Sequence, residues 1–321
     1  MLLRRFAFIV AGLILSAGLT TAALAQDRIA VVASFSVVAD LAREIGGERV
    51  EVRTLVGPDG DAHVFQPTPA DAKAVAAARV FVVNGLGFEG WLDRLRRSSG
   101  FKGRLIVASD GVAPLTMAED DHGHGHGHSH GGAGSTRKKA KAPDTVPDPH
   151  AWQDPANARL YADNIARGLA QEDPANEAYY AQRADAFKQR LDALDARLRA
   201  AFATIPAGKR RVITSHDAFQ YFGRAYGIEF VAASGVSTES EPSARQVASL
   251  IAQIRQENVK ALFVENLGNP RLIEQIARDA GGVVGGRLYS DALSPPGGPA
   301  DTYLKMMEHN ATALQAGMAR N

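Results

Sequence analysis

The chain contains no cysteine. That excludes disulfides, excludes thiolate ligands from any metal site, and removes the residue to which a mature N-terminal lipid would be attached. Aromatic residues are sparse, at 7% with only two tryptophans, and the formal net charge of the 321 residues is only +1. No basic stripe interleaves with aromatics, so nucleic acid is not an expected partner. Beyond the first two dozen residues there is no apolar run long enough to cross a bilayer.

The one long apolar run is at the start. Arg4 and Arg5 precede an apolar stretch from Phe6 to Leu19, and Ala23-Leu24-Ala25 has the small-x-small form of a cleavage site. This pattern reads as a secretory signal peptide over residues 1–25, so the mature protein is expected to be exported, free of a lipid anchor and periplasmic. Cleavage there removes two positive charges and takes the formal net charge from +1 to −1.

The remaining chain alternates strand and helix patterns. Apolar runs at 28–36, 50–57, 78–85 and in "RLIVASDG" read as strands. Helices are expected over 37–45, from the cap Thr68 with Pro69 and Asp71 behind it, and over "GFEGWLDRLRRS". Alternation of this kind implies an α/β domain with a mostly parallel sheet. From 118 to 147 the sequence turns to Gly, His, Lys, Ala and Pro without apolar periodicity, and a mobile loop is expected. A helix is expected over 155–170. Then Tyr180, Ala184, Phe187, Leu191, Leu194, Leu198 and Phe202 recur at spacings of three and four, the stripe of one long helix, with Asp173 as its cap and Pro174 as its start. After Pro206 the strand–helix alternation resumes, with Ser243 and Gln246 as a capping box, and ends in a helix over 300–319. Weak internal likeness between the halves supports two similar α/β lobes with mostly parallel sheets, joined by one long spine helix. The expected organisation is therefore a first lobe over 26–172, a linking helix over 173–204 and a second lobe over 205–321.

Five of nine histidines crowd into "DDHGHGHGHSHGG" at 120–132: His122, His124, His126, His128 and His130. Flexible glycines make ordering a metal there entropically expensive, so this tract reads as an accessory, low-affinity metal-binding segment. Of the other four, His309 lies among charged neighbours in the last helix and reads as an ordinary surface residue. His63, His150 and His216 lie in loops, and Asp291 follows the last strand. In open α/β sheets ligands bind beyond the carboxyl ends of strands, so two facing lobes would direct these four into one cleft. Three imidazoles and a carboxylate make a four-coordinate shell suited to zinc. These residues are spread from position 63 to 291, so spacing alone leaves the assignment open.

Several segments in order settle the expectation. "DAHVFQPTP", "VFVVNGLGFEGWLD", "DPHAWQDP", "ITSHDAFQYF", "EPSARQV", "ALFVENLGNPRLIEQIA" and "LYSDALS" resemble the zinc/manganese solute-binding proteins of ABC metal importers, over nearly the whole mature chain. The resemblance implies no enzyme activity. It implies a Zn2+ cargo held by His63, His150, His216 and Asp291, and delivery to an inner-membrane permease with its ATPase. A metal chaperone is a further partner to test for, and a monomer is expected. Manganese-importing relatives typically carry glutamate at the third position, where this chain has His216, which favours zinc. Some zinc-binding relatives carry an acidic residue before the first histidine, where this chain has Ala62. Asp61, Asp148, Glu241 and Glu265 are candidates to orient the rings. The rival readings are a manganese importer component, a metal-binding adhesin and a zinc hydrolase; the last lacks an H-E-x-x-H helix.

Overall fold

Strand β1, Ile29–Phe35, is apolar almost throughout and buried at all but one position, as a strand covered on both faces must be. In this computed structural model, which describes residues 28–118, 145–235, 238, 242–267 and 269–321, β1 pairs in parallel with β2 (Val50–Val56) and with β3 (Val80–Val83). Strand β4 (Arg104–Val107) extends the sheet, giving the order β2-β1-β3-β4. The second sheet is built from β7 (Arg211–Thr214), β8 (Glu229–Ala232), β9 (Ala261–Glu265) and β10 (Val283–Leu288), all parallel, in the order β8-β7-β9-β10. Each sheet, counted from its own first strand, has the order 2-1-3-4. The weak likeness between the two halves of the sequence thus corresponds to a repeated topology.

Helices cover the sheets: α1 (Ser36–Gly46), α2 (Pro69–Ala77), α3 (Leu92–Ser99) and α4 (Pro155–Glu172) belong with the first, and α6 (Gln220–Tyr226), α7 (Ala244–Glu257), α8 (Arg271–Ala280) and α9 (Tyr303–Met318) with the second. Reciprocal capping boxes start α2 (Thr68 with Asp71) and α7 (Ser243 with Gln246). Between the lobes runs α5, Glu177–Ala203, 27 residues and so about 40 Å long. All seven stripe residues from Tyr180 to Phe202 are buried, and α5 packs on α1 and α4 on one side and on α6 and α9 on the other. Polar contacts follow the same division. Arg183 Nε donates to Glu44 O at 2.7 Å in α1, whereas Arg199 donates to Ala225 O at 2.7 Å and Tyr226 Oη to Asp195 at 3.0 Å beside α6.

The lobes also meet directly. Leu293 N–H donates to Ser36 Oγ at 2.9 Å, Tyr303 N–H to Asp40 Oδ2 at 2.7 Å and Asp59 N–H to Leu293 O at 3.0 Å. One apolar core runs from Phe35 in the first lobe through Phe187 of α5 to Phe222 and Met306 in the second, and a satellite core lies under α7 and α8.

Three local expectations need correction. The stretch expected as a loop over 118–147 has ordered ends: β5 (Thr116–Ala118) pairs antiparallel with β6 (Thr145–Pro147). Three-residue strands are too short to show a period, so the ribbon leaves no sequence signal. His122, His124, His126, His128 and His130 lie outside the described residues. Helix α3 begins at Leu92 and not at Gly87, because Glu89 turns inward to accept the N–H groups of Asn84 (2.6 Å) and Gly85 (3.1 Å). Asp173 does not cap α5. It ends α4, a 3-10 turn over Pro174–Asn176 follows, and its carboxylate accepts from Asn176 and from Tyr180 Oη at 2.9 Å.

Candidate metal centre

His63 follows β2, His150 precedes a turn over Ala151–Gln153, His216 follows β7 and Asp291 follows β10. Strands in both lobes point their carboxyl ends at the same space. One potential ligand atom from each of the four residues lies within 4.8 Å of all the others. Asp291 is at the centre: its Oδ2 is 2.9 Å from His216 Nε2 and 3.2 Å from His63 Nε2, and its Oδ1 is 3.6 Å from His150 Nε2. The three rings stand 5.5–5.9 Å apart, centroid to centroid.

The remaining ring nitrogens explain why the Nε2 atoms face inward. Asp148 Oδ1 lies 2.8 Å from His150 Nδ1 and also accepts the His150 backbone N–H at 3.0 Å. Glu265 Oε2 lies 2.6 Å from His216 Nδ1, while its other oxygen accepts the backbone N–H groups of Ser215 and His216. A carboxylate on Nδ1 favours a proton there, which leaves the Nε2 lone pair for a cation. Asp61 behaves differently. It accepts the His63 backbone N–H at 2.9 Å and Thr238 Oγ1 at 2.6 Å, so it ties the His63 loop to the second lobe and leaves the ring alone. Glu241 lies outside the described residues.

The segment carrying His150 is held from both lobes. Asn84 Nδ2 donates to Pro149 O at 2.9 Å, and Tyr221 Oη of α6 donates to Asp148 O at 3.0 Å. Asn84 is fixed in turn by Tyr161 Oη at 2.6 Å. Trp152 Nε1 and Gln153 Nε2 donate to Ser290 O at 3.0 and 2.7 Å, which places the residue before Asp291. None of these supports was identified from sequence. Their one sequence signal is position: Asn84 follows β3 beside a glycine, and Trp152 and Gln153 lie within three residues of His150.

Two of the four groups, His216 and Asp291, are buried against each other with shifted protonation equilibria. Burial alone would push the His216 imidazole down, but the carboxylates of Glu265 and Asp291 outweigh it and hold it well above the ordinary histidine range. Burial likewise favours neutral Asp291, but the charges on His216 and His150 prevail and hold it well below the usual carboxylate range. His63 Nε2, His150 Nε2 and Asp291 Oδ1 are buried without a hydrogen-bond partner. Unpaired buried polar atoms are costly, and three converging on one point mark a place for a cation. Phe88 packs edge-on to His63 at 4.8 Å and Trp152 to His150 at 5.3 Å, so apolar walls enclose the cluster. Outside this group, His309 contacts Arg287 O at 3.0 Å and the Tyr289 ring, away from the cleft.

Known proteins share this architecture. The chain is 28% identical over 309 residues to the iron-binding protein YfeA of Yersinia pestis, covering 94% of this chain and 92% of that one. It is 30% identical to the manganese-binding lipoprotein MntA of Halalkalibacterium halodurans, over 92% and 90% of the two chains. The periplasmic zinc-binding protein TroA of Treponema pallidum superposes with a TM-score of 0.78 at 28% identity, covering 91% of this chain and 99% of that one. Residues 31–317 match the family described as the periplasmic component A of the zinc-uptake complex; the chain belongs to that family, the metal-binding substrate-binding components of ABC importers.

Proposed function

We propose that the protein captures Zn2+ in the periplasm, with His63, His150, His216 and Asp291 as its ligands, and delivers it to the permease of an ABC importer. The observation that carries this reading is the ligand set: three imidazoles, two of them with Nδ1 held by a carboxylate, and a single central carboxylate. Relatives are named for iron, manganese and zinc, so the family does not choose the metal. The donors favour zinc, because imidazole-rich tetrahedral shells suit it, whereas manganese favours more oxygen ligands at higher coordination number. Four protein donors also leave no open position for the water a zinc hydrolase needs.

The test is calorimetric titration of metal-free protein with each ion. Zinc should bind one tight site and outcompete manganese; manganese binding as tightly as zinc would overturn the assignment. Alanine at His63, His216 or Asp291 should abolish the tight phase. The five histidines from His122 to His130 are proposed as weaker accessory sites, so a chain lacking residues 120–132 should keep one tight zinc and lose the weaker ones. Several relatives are named as lipoproteins, but this chain has no cysteine to carry a lipid. Export as a free monomer after cleavage near Ala25 is therefore part of the same proposal, and is checked by N-terminal sequencing of the periplasmic fraction.

A further inference from the structure

The four convergent side chains are all nearly covered, and His63 is the least so. His150 and Asp291 expose 0% of their side chains and His216 3%, whereas His63 exposes 7%. The opening beside His63 is a groove of about 730 Å³ lined by His63, Phe65, Gln66, Gly90, Trp91 and Arg94, among others. The groove is mechanically part of the site. Trp91 Nε1 donates to Ala62 O at 2.8 Å, next to His63, and the Phe65 ring packs on Trp91 at 5.1 Å. At Gly90 even a Cβ would meet nothing, so the space is open there.

The charge in this groove is the wrong sign for a bare cation. Its described lining residues include the guanidinium of Arg94 and no carboxylate. A guanidinium beside the entrance repels a hydrated divalent ion, but it is the preferred partner of a carboxylate. A divalent metal chelated by a small polycarboxylate carries net negative charge and a short carbon skeleton. The lining has a matching feature for each: Arg94 for a free carboxylate, Gln66 for its remaining oxygens, and the faces of Phe65 and Trp91 for the carbon chain.

We propose that the groove receives the metal as a small polycarboxylate chelate, docked on Arg94 with the metal toward His63. This rests on the reading that the four side chains hold the metal. His63 Nε2, buried and without a hydrogen-bond partner, displaces one carboxylate oxygen from the metal; His150, His216 and Asp291 displace the rest, with His216 releasing its proton to solvent as its Nε2 takes the metal. The polycarboxylate leaves along the groove with its charge intact.

The experiment compares loading from two sources, zinc held by excess citrate and zinc held by the cationic chelator triethylenetetramine. Metal on the protein is counted after rapid desalting of timed samples. Arg94→Glu should slow loading from citrate about threefold or more and leave loading from the polyamine unchanged or faster, with Arg94→Gln in between and the contrast shrinking at high salt. Equal effects on both sources, or none on either, would overturn the proposal. Equilibrium titration of the wild type with zinc sulfate separates the two readings. If no zinc binds, the metal-site reading fails; if one zinc binds tightly and the source ratio ignores Arg94, only the groove proposal fails.

Discussion

Glu265 makes three contacts at once, two with backbone N–H groups and one with the His216 ring. Glutamine in its place keeps the shape and removes the charge that fixes the proton on Nδ1. Glu265→Gln should lower zinc affinity about 10- to 100-fold, and Asp148→Asn should do the same through His150, both read by competition with a chelator of known affinity. Protons compete at the same atoms. The Glu265 and Asp291 carboxylates hold His216 above its ordinary range, so its proton competes with zinc for the ring. Affinity should therefore rise with pH, and titrations in buffers of differing ionisation enthalpy should detect net proton release; zero release would contradict the charge assignment. In the metal-free state the linkage has the opposite sign. The stability His216 contributes is complete below its unfolded value near 6.5 and is lost as pH rises through its raised folded value. The four convergent side chains are legible in the sequence as candidates because each sits at a strand end or in a proline-flanked loop, and the motifs around them, through their resemblance to a family, select them. The ring supports are less so. Asp61 and Asp148 each stand two residues before a histidine, yet only Asp148 reaches a ring. Glu265 is 49 residues from His216, and only the pairing of β7 with β9 brings it near.

At the scale of elements, α1 and α9 meet through a half-buried carboxylate. Burial raises Asp40 from 3.8 to about 6 against the lowering effect of the Tyr303 N–H it accepts. The folded protein thus holds this proton more tightly than the unfolded chain, so the group costs stability as pH rises from about 4 to 6 and continues to cost it above. Asp40→Asn should raise the melting temperature above pH 6, by at most about 3 kcal/mol of stability, and bring no gain near pH 4. A gain independent of pH would refute the cause. On α5, Leu191 is fully buried, and Leu191→Ala should cost about 2–5 kcal/mol in denaturant unfolding. Existence and face of α5 are legible from its apolar spacing, but its start is not. Asp173 and Pro174 look like a cap and first turn, yet the Asp173 carboxylate is taken by Asn176 and Tyr180, and a separate turn results.

At the scale of the molecule, the two lobes share α5, a continuous apolar core and direct hydrogen bonds at Ser36, Asp40 and Asp59. Such a joint resists wide opening, unlike lobes connected by extended strands. The radius of gyration from small-angle scattering should be the same for metal-free and zinc-loaded protein within measurement error; a large contraction on loading would show a hinge. That the lobes are similar is legible as weak likeness between the halves, but their shared 2-1-3-4 sheet order is not. How closely the lobes are latched is not either, because the bonds at Ser36, Asp40 and Asp59 each join residues more than 200 positions apart. The aromatic walls have one further consequence. The chain has only two tryptophans, and both flank the cleft: Trp91 is bonded to the residue before His63, and Trp152 is stacked edge-on to His150. Both indoles therefore sit close to the four convergent side chains, one bonded to the His63 segment and one packed on the His150 ring. Their ultraviolet emission is a label-free gauge of cargo, with no background from tryptophan elsewhere in the chain.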